Sequence, residues 1–179
     1  MPNYVTNVII CKENLLSKIL NAEHQVDFSI LIPEPTTKKQ LISEYGENYV
    51  DNGDKHLDHK NTPEWFDWYS WNCDFWGTKW NAMDTDVKRE DGLCFVQFDT
   101  AWSPPTAWID KLASLGQPFI LHWEEEQGYG GYDGYNGATA INGSFDIPEY
   151  DENGDPIIDD EEDRELPSSD TLKDFFGDK

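Results

Sequence analysis

Basic residues are scarce in this sequence. Of 179 residues only 13 are Lys or Arg, against 36 Asp or Glu, for a formal charge of −23. A phosphate backbone is held by cations that release its condensed counterions, so recognition of nucleic acid through a basic surface is excluded. Cysteine is scarce too. Cys11, Cys73 and Cys94 are widely separated and form no Cys-x-x-Cys pair. An odd, dispersed set argues against a disulfide framework and for a reducing compartment. No stretch approaches the roughly 20 apolar residues of a membrane span. Met1-Pro2-Asn3-Tyr4 opens no basic and apolar secretory leader. The expected location is the cytoplasm.

What the chain does have is aromatic rings and acid. A hydrophobic fraction of 37% and a mean hydropathy of −0.72 lean toward disorder. Eight Trp, eight Tyr and nine Phe argue the other way, because disordered chains are poor in such rings and each buries a large area. The expectation is one compact domain with an aromatic core and a charged shell. Residues 150–179 carry a net −9 and the remaining body −14. A body this acidic attracts a basic protein surface from a distance.

The β-branched run Val5–Cys11 reads as a first strand. Leu15, Leu16, Ile19 and Leu20 predict a helix over Glu13–Ala22. Asp27–Ile32 reads as an extended apolar run stopped by Pro33 and Pro35, and Lys38–Tyr45 as a short helix. Thr62 as N-cap and Pro63 at the first helical position predict a Trp-rich helix ending at Gly77. Thr78–Asp86 and Leu93–Phe98 read as a hairpin around a turn closed by Asp91-Gly92. Ser103, as N-cap, opens a helix to Leu115, with Trp102 as a hydrophobic staple. Pro118–Trp123 is a strand, and Ala138–Phe145 one further edge strand. The order predicts an α+β, ferredoxin-like antiparallel sheet with two packing helices over residues 1–149. An insert spans about 33–76, and an acidic C-terminal tail spans 150–179.

Three blocks then stand out: Trp76-Gly77-Thr78-Lys79-Trp80-Asn81-Ala82, Phe98-Asp99-Thr100-Ala101-Trp102-Ser103-Pro104-Pro105, and Trp123-Glu124-Glu125-Glu126 before a Gly-rich stretch. In this order they resemble a phage- and plasmid-encoded family with a YubB-type ferredoxin-like domain. Asp27–Pro35 resembles that family's early Asp-Phe-Asn…Ile-Pro-Met-Pro segment, from which Ser29 and Glu34 depart. The resemblance spans roughly residues 3–145. It implies a fold and a mobile-element setting, hence a bacterial host cytoplasm, and no transferable reaction. "Ferredoxin-like" names a topology. The four cysteines of an iron–sulfur cluster are missing, and no cofactor is expected.

Several motifs invite chemistry. Lys79, Trp80, Asn81, Asp84, Trp102 and Ser103 concentrate polar groups beside indoles and form a candidate small-ligand pocket. Core packing and helix entry explain the same residues. Glu124, Glu125 and Glu126 near Asp84 and Asp86 suit acid–base work or Mg²⁺, or simply a solvated face. His56 and His59 with Asp54 and Asp58 lack the second ligand pair a zinc site needs. Asp151–Glu162 approaches a calcium-loop pattern, but Pro156 stands where glycine is required. Asn153-Gly154 as a hairpin turn is the plainer reading. Gly128–Gly137 lacks the Gly-Lys-Ser/Thr of a phosphate loop, and its tyrosines suit protein recognition or a surface loop.

The leading expectation is therefore a non-enzymatic accessory protein of a mobile element. It binds a basic, nucleic-acid-handling host protein, as a counter-defence inhibitor of the anti-CRISPR or anti-restriction kind that imitates nucleic acid. The expected contact residues are Asp151, Glu152, Asp155, Asp159, Asp160, Glu161 and Glu162, with Glu124, Glu125 and Glu126. The alternatives are a small-ligand protein or enzyme built on the Lys79/Trp80/Asn81/Ser103 region, and a virion or structural component. Neither direct nucleic acid nor membrane is expected as a partner.

Overall fold

The computed structural model describes residues 3–51, 62–126, 128–136, 140–145, 149–150, 156–157 and 166–177. The β-branched N-terminal run forms β1 (Tyr4–Cys11) and lies at the centre of the sheet. It pairs antiparallel with β3 (Leu93–Ala101) on one side and with β4 (Phe119–Glu125) on the other. β2 (Met83–Glu90) lies outside β3. β5 (Gly130–Tyr135) and β6 (Ala140–Phe145) extend the sheet beyond β4. The order is β2-β3-β1-β4-β5-β6. Its first four strands have the ferredoxin-like order, and the chain is α+β as expected. The Gly-rich stretch supplies two strands rather than the one expected. β7 (Glu149–Tyr150) and β8 (Pro156–Ile157) pair separately and flank residues 151–155, which lie outside the described residues.

Helices cover one face of the sheet. α1 (Glu13–Leu16) is a single turn, shorter than the expected Glu13–Ala22. Past it the Asn21 side chain accepts from the Glu23 and Gln25 N–H groups, and Leu20 bridges to Val26, so local side-chain bonding outcompetes the helix. Asp27–Ile32 is likewise not a strand. The Asp27 carboxylate accepts from Ser29 N and Oγ at 2.9 and 2.6 Å and rolls the chain into a 3₁₀ turn at Phe28–Ile30. α2 (Lys38–Tyr45) forms as expected, capped by Thr37. α3 (Trp68–Phe75) starts at an Asp67 cap and not at Thr62. Instead the chain turns at residues 63–66, with Phe66 N–H to Pro63 O, and Phe66 bridges to Val50 through Asp51 N–H to Trp65 O and Asp67 N–H to Tyr49 O. α4 (Thr106–Ala113) begins three residues after Ser103. β2 runs on to Glu90, so Asp91-Gly92 alone turns the hairpin, both at positive φ as such a tight turn requires.

The core lies between this face and the helices. Ile9, Val96, Phe98, Phe119 and Leu121 point up from the strands to Trp71, Trp76, Trp108 and Phe28. Phe28 stands 4.8 Å from the Trp108 ring and 5.8 Å from Trp76, pairs that contribute about 1 kcal/mol each beyond burial. The other face holds a smaller cluster. Here α5 (Ser169–Phe176), in the segment expected to be an acidic tail, buries Leu172 and Phe175 against Ile10 and Ile120.

Cys11 and Cys94 face each other across β1 and β3. Burial, with Cys94 and Glu13 nearby, pushes the Cys11 thiol up to about 12. Burial and an S–H donated to Glu13 push Cys94 up to about 11. Unfolded thiols ionise near 9 while the folded ones stay protonated, so their contribution is complete below pH 9 and is lost as pH rises toward 11–12. The urea midpoint is expected to fall between about pH 8 and about pH 10.5. The double variant C11A/C94A should show a smaller fall. An equal fall would assign the alkaline loss to other groups.

Candidate functional site

On the face away from α1–α4, α5 covers only the half of the sheet nearest the β2–β3 turn. The other half is read from the register. Asp86, Gln97, Val8, His122 and Tyr132 form one row across β2, β3, β1, β4 and β5. Met83, Asp99, Thr6, Glu124 and Gly130 form the next, and Tyr4 stands beyond Thr6. None of these positions is Lys or Arg. Asp86, Gln97 and Tyr4 are exposed, Asp99, Glu124, Thr6 and Tyr132 half-buried, and His122 buried. The Thr6 hydroxyl donates to Asp99 Oδ1 at 2.9 Å and aims that carboxylate. Neighbouring strands lie about 4.8 Å apart, so Asp99 and Glu124, separated by β1, are held about 10 Å apart on a stiff support.

Four of the described cations lie at the opposite end of the sheet, while Lys79 packs on Trp102 just past the end of β3. Lys88 and Arg89 precede Glu90 at the end of β2, Lys12 follows β1, and Lys173 lies on α5. Arg89 makes a two-pronged pair with Glu13 at 2.9 and 3.1 Å, which holds the Glu13 carboxyl down at about 2. The sheet thus carries charge of one sign at one end and mixed charge at the other.

Of the residues expected to contact a partner, Glu124 belongs to the acidic face. Glu125 alternates to the helix-bearing face, opposite Val5, and Glu126 is exposed in the turn, its N–H donating to Tyr4 O. Asp151, Glu152, Asp155, Asp159, Asp160, Glu161 and Glu162 lie outside the described residues, as do Asp54, His56, Asp58 and His59. Sequence reasoning missed the placement of Asp99 and Tyr4 on this face. The available signal was alternation along β3, where Leu93, Phe95, Gln97 and Asp99 pass from apolar to acidic on one face.

The expected ligand pocket resolves differently. Asn81 is engaged on both ends: Oδ1 accepts from Phe28 N and Ala82 N, and Nδ2 donates to Asp27 at 2.8 Å. Burial opposes the charge of Asp27, but hydrogen bonds from Ser29 and Asn81 outweigh it and keep that carboxyl below its ordinary value. Ser103 is not an N-cap. Its hydroxyl donates to Gly77 O at 2.7 Å, while Thr78 Oγ1 donates to Ala101 O at 2.8 Å. These bonds clasp the first motif block to the second. Asp84 is exposed in a β-bulge at φ 51°. Trp102 is no staple but a 45% exposed ring at φ 73°. The Lys79 ammonium sits 4.5 Å from its ring centroid and 4.6 Å from that of Trp80, a cation–π wedge. Among the described residues no group of three or more His, Cys, Asp or Glu is placed to hold a metal ion. No described helix is long and apolar enough to cross a membrane.

Strand order, antiparallel pairing and the helices on one face define a ferredoxin-like α+β protein. Residues 75–166 match the model of the family described as the ferredoxin-like domain in Api92-like protein, and the chain belongs to that family. No curated protein and no solved structure matches it.

Proposed function

We propose that this is a non-enzymatic accessory protein of a mobile genetic element that binds a basic, nucleic-acid-handling protein of its bacterial host. In this reading it acts as a counter-defence inhibitor whose carboxylates take the place of phosphates. The mobile-element setting rests on the likeness of the three Trp-rich and acidic blocks to the YubB-type family. The observation that carries the binding mode is the half sheet face bearing Asp86, Asp99 and Glu124 with no cation among them. Carboxylates on paired strands keep their spacing without an entropic cost at binding, and complementary charge speeds encounter with a basic groove. Asn81 is engaged with Asp27 and Phe28, and Ser103 with the clasp, which leaves the small-ligand alternative fewer polar groups to offer.

A tagged protein in host lysate is expected to retain one stoichiometric basic protein near physiological salt and to release it at about 1 M, where the Debye length is only about 3 Å. The triple variant D86K/D99K/E124K should bind that protein at least ten-fold more weakly, with an unchanged circular dichroism spectrum. Binding left intact by the triple variant would remove the sheet face from the mechanism.

A further inference from the structure

The seat of α5 is larger than the helix that fills it. Leu172 and Phe175 are buried, but Val8, Leu93, Phe95 and Phe176 around them are only partly so. A cavity of about 440 Å³ runs along the helix flank over Leu93, Phe95, Leu172 and Phe176, with Glu90 and Asp91 of the body and Lys12 and Lys173 also lining it. A volume of that size falls within the range of ligand sites. The body also presents ready caps for a helix C-terminus: Lys12 Nζ donates to Phe176 O at 3.3 Å and Asn136 Nδ2 to Phe175 O at 3.0 Å. Such donors satisfy the last carbonyls of whatever helix lies there. The apolar seat continues directly into the acidic rows, since Phe95, Gln97 and Asp99 follow one another on the same face of β3.

We infer that this seat is a receptor groove for a basic amphipathic helix of the partner, and that α5 occupies it in cis. The inference rests on the acidic-face reading above and specifies the partner's contact element. An apolar stripe at i, i+3 and i+4, the spacing of Leu172, Phe175 and Phe176, enters the seat. A Lys- or Arg-rich flank of the same helix meets Asp86, Glu90, Asp91 and Asp99, which outnumber Lys12 and Lys88 on that side of the body. α5 fits the apolar half of this description but carries Asp170 and Asp174 against the single Lys173, so a basic helix has charge complementarity that α5 lacks. Because α5 competes, the affinity measured for an incoming helix is the intrinsic one reduced by the fraction of molecules in which the seat is open.

The probe is a fluorescein-labelled synthetic helix with a Leu/Phe stripe and Lys flanks, titrated by anisotropy with the full chain. The variant L172D/F175D, which unseats α5, should bind it at least ten-fold more tightly than wild type. In wild type, the methyl resonances of Ile10, Ile120 and Leu93 should shift on titration. Unchanged or weaker binding by a folded L172D/F175D overturns the inference. Should that variant fail to fold, the wild-type methyl shifts decide, and their absence at saturating probe overturns it equally. Methyl shifts with an affinity unmoved by D86K/D99K/E124K would instead sink the acidic-face reading and leave the seat standing. Binding lost in that triple variant without methyl shifts would do the reverse.

Discussion

Replacing Gly77 by alanine is expected to lower the melting midpoint by about 10 °C, a loss of about 3 kcal/mol for a chain of this size. Gly77 lies at φ 83°, where an L side chain costs about 1–2 kcal/mol. The larger obstacle is steric. A Cβ there would stand 2.6 Å from Thr106 N and 2.9 Å from Ala107 N, both backbone atoms at the start of α4. Neither side can withdraw easily. Ser103 Oγ holds Gly77 O, Thr78 Oγ1 holds Ala101 O, and Trp108 N–H reaches Trp76 O at 3.3 Å. Gly116 is the control. It has φ 69° but no atom within 4 Å of an added Cβ, so Gly116→Ala should cost only the backbone term. Equal midpoints for the two variants would show that the approach of Gly77 to α4 contributes nothing to stability.

Removal of residues 1–12 should abolish folding altogether. β3 and β4 do not pair with each other; each pairs with β1, in registers of eight and seven residues. Without β1 the sheet divides into β2–β3 and β4–β5–β6, and two stranded pieces with half a core each are not independently stable. The family match over residues 75–166 also excludes this strand, although its fold has no continuous sheet without it. The truncated chain should show no cooperative urea transition, and a synthetic peptide of residues 1–12 should restore one in a concentration-dependent way. A cooperative transition in the truncated chain alone would mean that β3 and β4 can close on each other.

The elements legible in the sequence are those whose pattern and environment agree. β1, β3 and β4 are β-branched or apolar runs with their own turn signals, and α2 has its Thr37 cap. Local bonds at Asn21 and Asp27 redirect two of the misread segments, and partners distant in sequence act beside them. Phe28 N–H finds Asn81, 53 residues away, and Phe66 is bridged to Val50. No local window contains those bonds. α5 was masked by its surroundings. Leu172, Phe175 and Phe176 at helical spacing after a Ser168 cap were visible, but lay in a segment dominated by acid. The candidate site was legible at Glu124 and Asp86. Asp99 joins them through cross-strand register, and the row Asp86 enters depends on where the bulge between Met83 and Asp86 falls.

The two faces of the sheet are stabilised very unequally. Among the described residues, the helix-bearing cluster holds twenty buried core residues and the α5 cluster four. Opening free energies follow such differences in buried contact, so the sheet and its helical layer form one cooperative unit and α5 a weaker one that opens on its own. Excursions of α5 cost a fraction of global unfolding and leave the six-stranded sheet intact. The face that a partner would approach is thus renewed by local fluctuation rather than by rearrangement of the fold, on a timescale set by one eight-residue helix.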